Sequence, residues 1–243
     1  MTRIAYGTLL AVLSLGACTD SDDDNYPVEP STVAPPSSGS GGTMRVTSRV
    51  CVIDDLRAPA TCGTRNAGGL TVTSGSSATT TDSAGNFTID VDPRLDPSVT
   101  ATGAGITPTS LPVGENRSID IVPAIDADVY ARMLSSNGIE LSPGMGSILT
   151  SVTADGQPAT GIGLTSTPNG PYGVFFDGDG PLNWGLDGTG ARGVAWIPGV
   201  TAGSVDLSYQ GVLGGLETQV GGVTVRNGGV TILDTALTGG SGI

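Results

Sequence analysis

The spacing of apolar residues changes along this chain, and each change marks a different kind of segment. A mainly apolar run from Ile4 to Leu15 follows a basic start at Arg3. It is too short to span a bilayer as a helix, which needs roughly 20 residues, and it fits the central part of an export signal over residues 1–17. From Thr19 to Gly42 no period is visible: Asp20, Asp22, Asp23, Asp24 and Glu29 give way to Pro35-Pro36 and a Ser/Gly run. Such a stretch buries too little apolar surface to offset the entropy of ordering it, which predicts a disordered, extended tether over residues 18–43.

From Met44 a two-residue period sets in, first over Arg45-Val46-Thr47-Ser48-Arg49-Val50-Cys51-Val52. Phe87, Ile89 and Val91 alternate with polar residues directly after Asp82-Ser83-Ala84-Gly85, the pattern of a half-buried strand leaving a tight turn. The helical period occurs over Asp126 to Asn137, where Asp126 caps the start, Val129 and Met133 share a face, and Asn137-Gly138 is the stop. Beyond Gly144 the strand period returns in Ser147–Val152, Val205–Tyr209 and Val230–Leu233. The prediction is an all-β chain: one sandwich over 44–123, a linker with a short helix over 124–143, and a second sandwich over 144–243.

The second segment retraces the first. Ser147 to Val152 runs into Asp155 and Pro158-Ala159-Thr160, as Val50 to Ile53 runs into Asp55 and Pro59-Ala60-Thr61. Asp187-Gly188-Thr189-Gly190 precedes Val194 to Ile197 as Asp82 to Gly85 precedes Phe87 and Ile89, with Arg192 standing where the first copy has Phe87. On its first strand, its Asp/Pro turn and its Thr81-Asp82-Ser83-Ala84-Gly85-Asn86-Phe87 motif, the segment 44–123 resembles the carboxypeptidase regulatory-like (transthyretin-like) domain. The segment 144–243 resembles the same domain in diverged form. That resemblance implies two tandem antiparallel β-sandwich modules of accessory or adhesive kind, without the separate zinc domain of the peptidases.

Leu15-Gly16-Ala17-Cys18 resembles the bacterial lipobox, in which a Leu and two small residues precede a Cys. The resemblance implies cleavage before Cys18, lipid (palmitate) attachment there, and a bilayer as the first partner. Inner-membrane retention in that class goes with Asp directly after the Cys. Here the residue is Thr19, which points to the outer membrane, on its periplasmic or outward face.

Composition narrows the chemistry. The net charge is −13 and the ten basic residues are all Arg, so no clustered Lys and Arg footprint for nucleic acid is present. The chain has no His, which removes the imidazole base, the commonest zinc ligand and imidazole triads. Without Lys there is no Schiff base and no P-loop. With Cys18 given to lipid, Cys51 and Cys62 remain. In an oxidising compartment they read as a disulfide, against two free thiols or an intermolecular link. Carboxylates are left as the catalytic groups.

One segment concentrates candidate binding residues. Tyr172, Phe175, Phe176, Trp184 and Trp196 bracket Asp177-Gly178-Asp179-Gly180 and Asn183. Tyr172, Phe175 and Trp184 are a candidate sugar-stacking patch, and the alternative is that these rings fill a sandwich core. Asp177, Asp179, Asn183 and Asp187 are candidate calcium ligands, although Pro181 stands where a further acidic ligand belongs and no Glu closes the loop; the alternative is a solvated turn. No other cofactor is expected. The function expected is non-enzymatic: a membrane-anchored envelope lipoprotein acting as a binding, adhesive or structural module, with carbohydrate or another envelope protein as partner. The competing expectation is a carboxylate-only envelope glycosidase.

Overall fold

The structure, a computed structural model, describes residues 42–114, 119–178, 183–185, 187–211 and 217–237. The export segment, the tether up to residue 41, Cys18 and Asp179 lie outside the described residues. The first half is built from β1 (Met44–Ile53), β2 (Thr71–Ser74), β3 (Ser77–Thr80), β4 (Asn86–Val91), β5 (Ser98–Gly103), β6 (Ile106–Pro112) and β7 (Ile121–Asp126). Helix α1 (Ala127–Ser136) follows. The second half contains β8 (Met145–Ala154), β9 (Gln157–Pro158), β10 (Ile162–Thr167), β11 (Phe175–Asp177), β12 (Trp184–Gly185), β13 (Val194–Thr201), β14 (Gly203–Gly211), β15 (Glu217–Val225) and β16 (Val230–Leu237).

The chain is all-β with one described helix, as its alternation predicts. That helix starts where the sequence places it: the Asp126 carboxylate accepts from the amides of Asp128 and Val129, and Tyr130 and Met133 are the buried side chains. Burial pushes the Tyr130 hydroxyl, which is bonded to Ser147 Oγ, up to about 12.

One pairing scheme occurs twice. Strand β1 lies between antiparallel β4 and parallel β7, and β8 lies between antiparallel β13 and parallel β16. In the first copy β3-β2-β5-β6 continues through β16 into β8 within one 13-stranded sheet, whereas in the second copy β10-β14-β15 is a separate three-stranded sheet. Most pairs are antiparallel, but β1–β7, β8–β16 and β16–β6 are parallel. Parallel neighbours need a long crossover, and within each copy the intervening strands supply it.

A buried threonine closes each copy in the same way. Thr81 Oγ1 accepts from Leu70 N–H at 2.9 Å and donates to Ala67 C=O at 2.6 Å. Thr189 Oγ1 accepts from Ile162 N–H at 2.9 Å and donates to Ala159 C=O at 2.6 Å. Next to these, Val50 N–H donates to Gly85 C=O and Val152 N–H to Gly193 C=O. Gly85 and Gly193 both have positive φ, 86° and 67°, and a Cβ on either would meet the carbonyl oxygen of Val50 or Val152 within 2.7 Å. The structural equivalent of Gly85 is therefore Gly193, not Gly190 as the residue pattern suggests. That makes Ala195 and Ile197 the second-copy equivalents of Phe87 and Ile89, where the residue pattern puts Arg192 in the place of Phe87.

The copies share buried surface. Residues of β8, β13 and β16 are divided between two cores: Leu149, Trp196, Val194 and Ile232 pack into the first, while Ile148, Ala195, Ile197 and Leu233 pack into the second. The sheet β13-β8-β16 is thus buried on both faces, which explains why Val194 to Val200 is buried at every residue rather than at alternate ones. Each large apolar side chain so placed contributes about 1.5–3 kcal/mol.

Candidate functional site

The loop that the sequence singles out lies where the two copies meet. Phe175 and Trp184 both pack against Trp196, with ring centroids 5.3 and 5.5 Å apart. Trp196 is fully buried and Trp184 nearly so. Tyr172 is half-buried, and its hydroxyl donates to Glu140 C=O at 2.6 Å. Phe175 and Trp184 therefore gather around one buried indole, and Tyr172 packs against the same first core without a ring contact to it.

Asp177 sits at the end of β11 with its carboxylate buried. Oδ1 accepts from the amides of Gly190 and Val194 at 2.8 and 2.9 Å, and Oδ2 accepts from the amide of Arg192 at 2.8 Å. Gly190 must be glycine here, because a Cβ would lie 2.4 Å from the Asp177 carbonyl oxygen. Of the other calcium candidates, Asn183 uses its carbonyl to accept from Gly178 N–H, and Asp187 is exposed. Among the described residues no group of three or more acidic or sulfur side chains is arranged to hold an ion.

Beside this loop is a charged cluster that the sequence reading missed. Arg57 is buried, and its guanidinium grips Asp55 through Nε and Nη2 at 3.1 Å each while Nη1 donates to Gly178 C=O at 2.7 Å. Arg192 Nη1 reaches the same Asp55 carboxylate at 2.8 Å. Burial alone would raise the Asp55 carboxyl, and the hydrogen bonds from Arg57 and Arg192 hold it below the ordinary carboxylate value. The signal available in the sequence was an Arg in an otherwise apolar turn, Leu56-Arg57-Ala58-Pro59. A second ion pair, Arg226 to Asp96 at 2.6 Å, also joins the halves, with Ser98 Oγ sharing the guanidinium.

Cys51 and Cys62 form a disulfide with an S–S distance of 2.06 Å. It bridges the end of β1 to the turn that carries Arg57. Closing so short a loop contributes roughly 2–3 kcal/mol. A cavity of about 360 Å³ lies between β6, β7 and β16, lined by Leu111, Ile119, Ile121 and Ile232 with Asp120 and Asp234 beside them.

No family model matches the chain, and no curated protein sequence matches it. Solved structures give distant likeness. The Bacillus anthracis TIE protein has 11% identity and a TM-score of 0.27 over 82% of this chain, which spans 34% of that protein. The shaft pilin spaA from Lactobacillus rhamnosus GG has 11% identity and a TM-score of 0.25, covering 83% of this chain and 99% of the pilin. GBS52, the minor pilin of Streptococcus agalactiae, has 10% identity and a TM-score of 0.27, covering 82% of this chain and 98% of the pilin. At these scores the backbones do not superpose closely, and neither an activity nor a partner passes from them to this chain. No described helix is long and apolar enough to cross a membrane.

Proposed function

We propose that the chain is a non-enzymatic envelope lipoprotein whose two β-sandwich copies act as one stiff structural or binding body. It is held through Cys18 to the outer membrane and offset from it by the acidic tether. The observation that carries this reading is the sharing of sheet β13-β8-β16 between both cores. A sheet buried on two faces leaves the copies no hinge, and the ion pairs from Asp55 to Arg192 and from Asp96 to Arg226 cross the same seam. The conspicuous carboxylates are also committed: Asp177 holds three amides and Asp55 two guanidinium groups. Carbohydrate or another envelope protein is the partner class that such a body would meet.

The test combines anchoring and chemistry in the full chain. Each acyl chain contributes about 0.8 kcal/mol per buried methylene, so the lipidated protein fractionates with membranes and labels with palmitate, while Cys18→Ser does neither. The purified chain is expected to bind envelope material without cleaving it. Turnover of peptidoglycan or aryl glycosides that is lost in Asp120→Asn or Asp234→Asn, the carboxylates of the cavity, would replace this reading with that of a hydrolase.

A further inference from the structure

The internal repeat exposes a strand slot that is filled in the first copy and open in the second. In the first copy the outer edge of β2 pairs with β3 from Thr71 to Ser74. The equivalent strand of the second copy, β10, pairs with β14 on one side, and among the described residues no strand pairs with its other side. Thr189 touches the beginning of that side, where Ile162 directs both its N–H and its C=O outward. Alternate residues of a pleated strand direct their backbone groups the same way. Leu164 and Ser166 therefore present theirs along the open edge, as Val72 and Ser74 do towards β3.

Edge strands are ordinarily blunted by shortness, charge, proline or bulges. The other edges here follow that rule. Strand β3 has 4 residues, and β9 and β12 have 2 each. Strand β15 carries Glu217, positive-φ Gly222 and a register shift against β14, and β4 carries Asp90 paired with Arg45. Strand β10 has none of these devices. Its 6 residues are uncharged, contain no proline and keep unbroken register with β14. No charged residue lies anywhere between Asp155 and Asp177.

The first copy shows what fits the slot: Ser77-Ala78-Thr79-Thr80, a short strand of small, uncharged residues, two of them β-branched. The segment Gly163-Leu164-Thr165-Ser166-Thr167 has the same chemistry, and antiparallel pairing with itself satisfies a two-fold axis. In a chain of net charge −13 most surfaces repel a second copy, whereas this edge brings no like charges together. We propose that β10 pairs antiparallel with β10 of a second copy, joining the two β10-β14-β15 sheets into one.

The test uses the full chain in its envelope. Thr165, at the centre of Gly163–Thr167, is exposed, so with the two-fold axis beside it Thr165→Cys is expected to give a disulfide-linked dimer on non-reducing gels. The control Thr224→Cys, at an exposed position of β15, is expected to give none. In mild detergent the unmodified chain should run as two copies by native mass spectrometry. The double variant T165K/T167K should run as one and keep the circular dichroism of the folded chain, because lysines on the edge repel across the axis. A monomeric unmodified chain, a lysine variant that stays dimeric, or cross-linking at Thr224 equal to that at Thr165 would overturn the proposal. The cysteine arm decides the matter should the lysine variant not fold.

Discussion

The Asp177 carboxylate takes, in the second copy, the place that the Asp82 carboxylate holds in the first. Asp82 Oδ1 accepts from the amides of Ala84 and Asn86 within its own turn. The equivalent amides of the second copy belong to Arg192 and Val194, and both donate to Asp177. The residue equivalent to Asp82 is Gly190, which has no side chain to offer, so a carboxylate from β11 reaches across instead. A local turn has become a long-range tie between β11 and the start of β13.

Removing that tie leaves three amides without acceptors, and each buried unpaired group costs about 1–3 kcal/mol. Only the Val194 amide is fully buried, those of Gly190 and Arg192 being part-buried, so Asp177→Ala is expected to destabilise by about 2–3 kcal/mol, read as a lower urea midpoint, whereas Asp187→Ala, on an exposed residue, should stay within about 0.5 kcal/mol. Since both Asp177 oxygens are engaged, the melting midpoint should be the same in millimolar calcium and in chelator. A midpoint raised by calcium would show that the ion displaces those amides.

The paired threonines make a second test. Thr81→Val and Thr189→Val keep the shape but strand one amide and one carbonyl in each copy, at about 1–3 kcal/mol per stranded group. Thr→Ser at either position keeps the hydroxyl and should recover most of the loss. Equal stability of the Val and Ser variants in denaturant would mean that the hydroxyls contribute little.

These same residues mark how far the sequence could be read. Alternation around Phe87 and Ile89, the Asp126 cap and the Cys51–Cys62 spacing are local signals, and the strand, the helix start and the disulfide follow from them. The equivalence of Gly193 with Gly85 was hidden because the second copy has β11 and β12 inserted before its turn, and the nearer Asp-x-x-Gly string imitates the motif. The aromatic residues around Asp177 were legible as a group, but a sequence does not say which face a ring takes when a sheet is buried on both sides. Arg57 was passed over because one Arg in a turn gives no period: Asp55 is its neighbour in sequence, but Gly178 and Arg192 join the pair through the fold alone.

The seam offers a comparison between a buried and a half-exposed partner of one carboxylate. Asp55→Ala leaves the Arg57 guanidinium buried without its counter-charge, a change that typically costs about 3–5 kcal/mol. Arg192 is 46% exposed in its side chain, and Arg192→Ala should cost less than about 1 kcal/mol. Equal losses in chemical denaturation would place the importance of the cluster in Arg192 and the crossing pair rather than in the grip on Arg57.

Acid should weaken the fold in a defined window. Asp55, Asp96 and Asp126 all sit below the ordinary carboxylate value. Burial alone would raise each of them, but hydrogen bonds and charge from Arg57 and Arg192, from Ser98 and Arg226, and from Arg65 with the helix amides outweigh it. Each therefore binds its proton less readily when folded than when unfolded, and unfolding in acid takes up protons. The stability these groups contribute is complete above the unfolded carboxylate value of about 3.9, and it is lost as the pH falls from there through the lower folded values. With no His in the chain, nothing of the same kind titrates between that window and neutrality. Urea midpoints are thus expected to be level from neutral pH down to about 5 and to fall steeply below 4. In Asp96→Asn, which cannot titrate, the neutral-pH midpoint should be lower and the acid fall shallower. A midpoint that already drops between neutrality and pH 5 would show that groups other than these three carboxylates control acid stability.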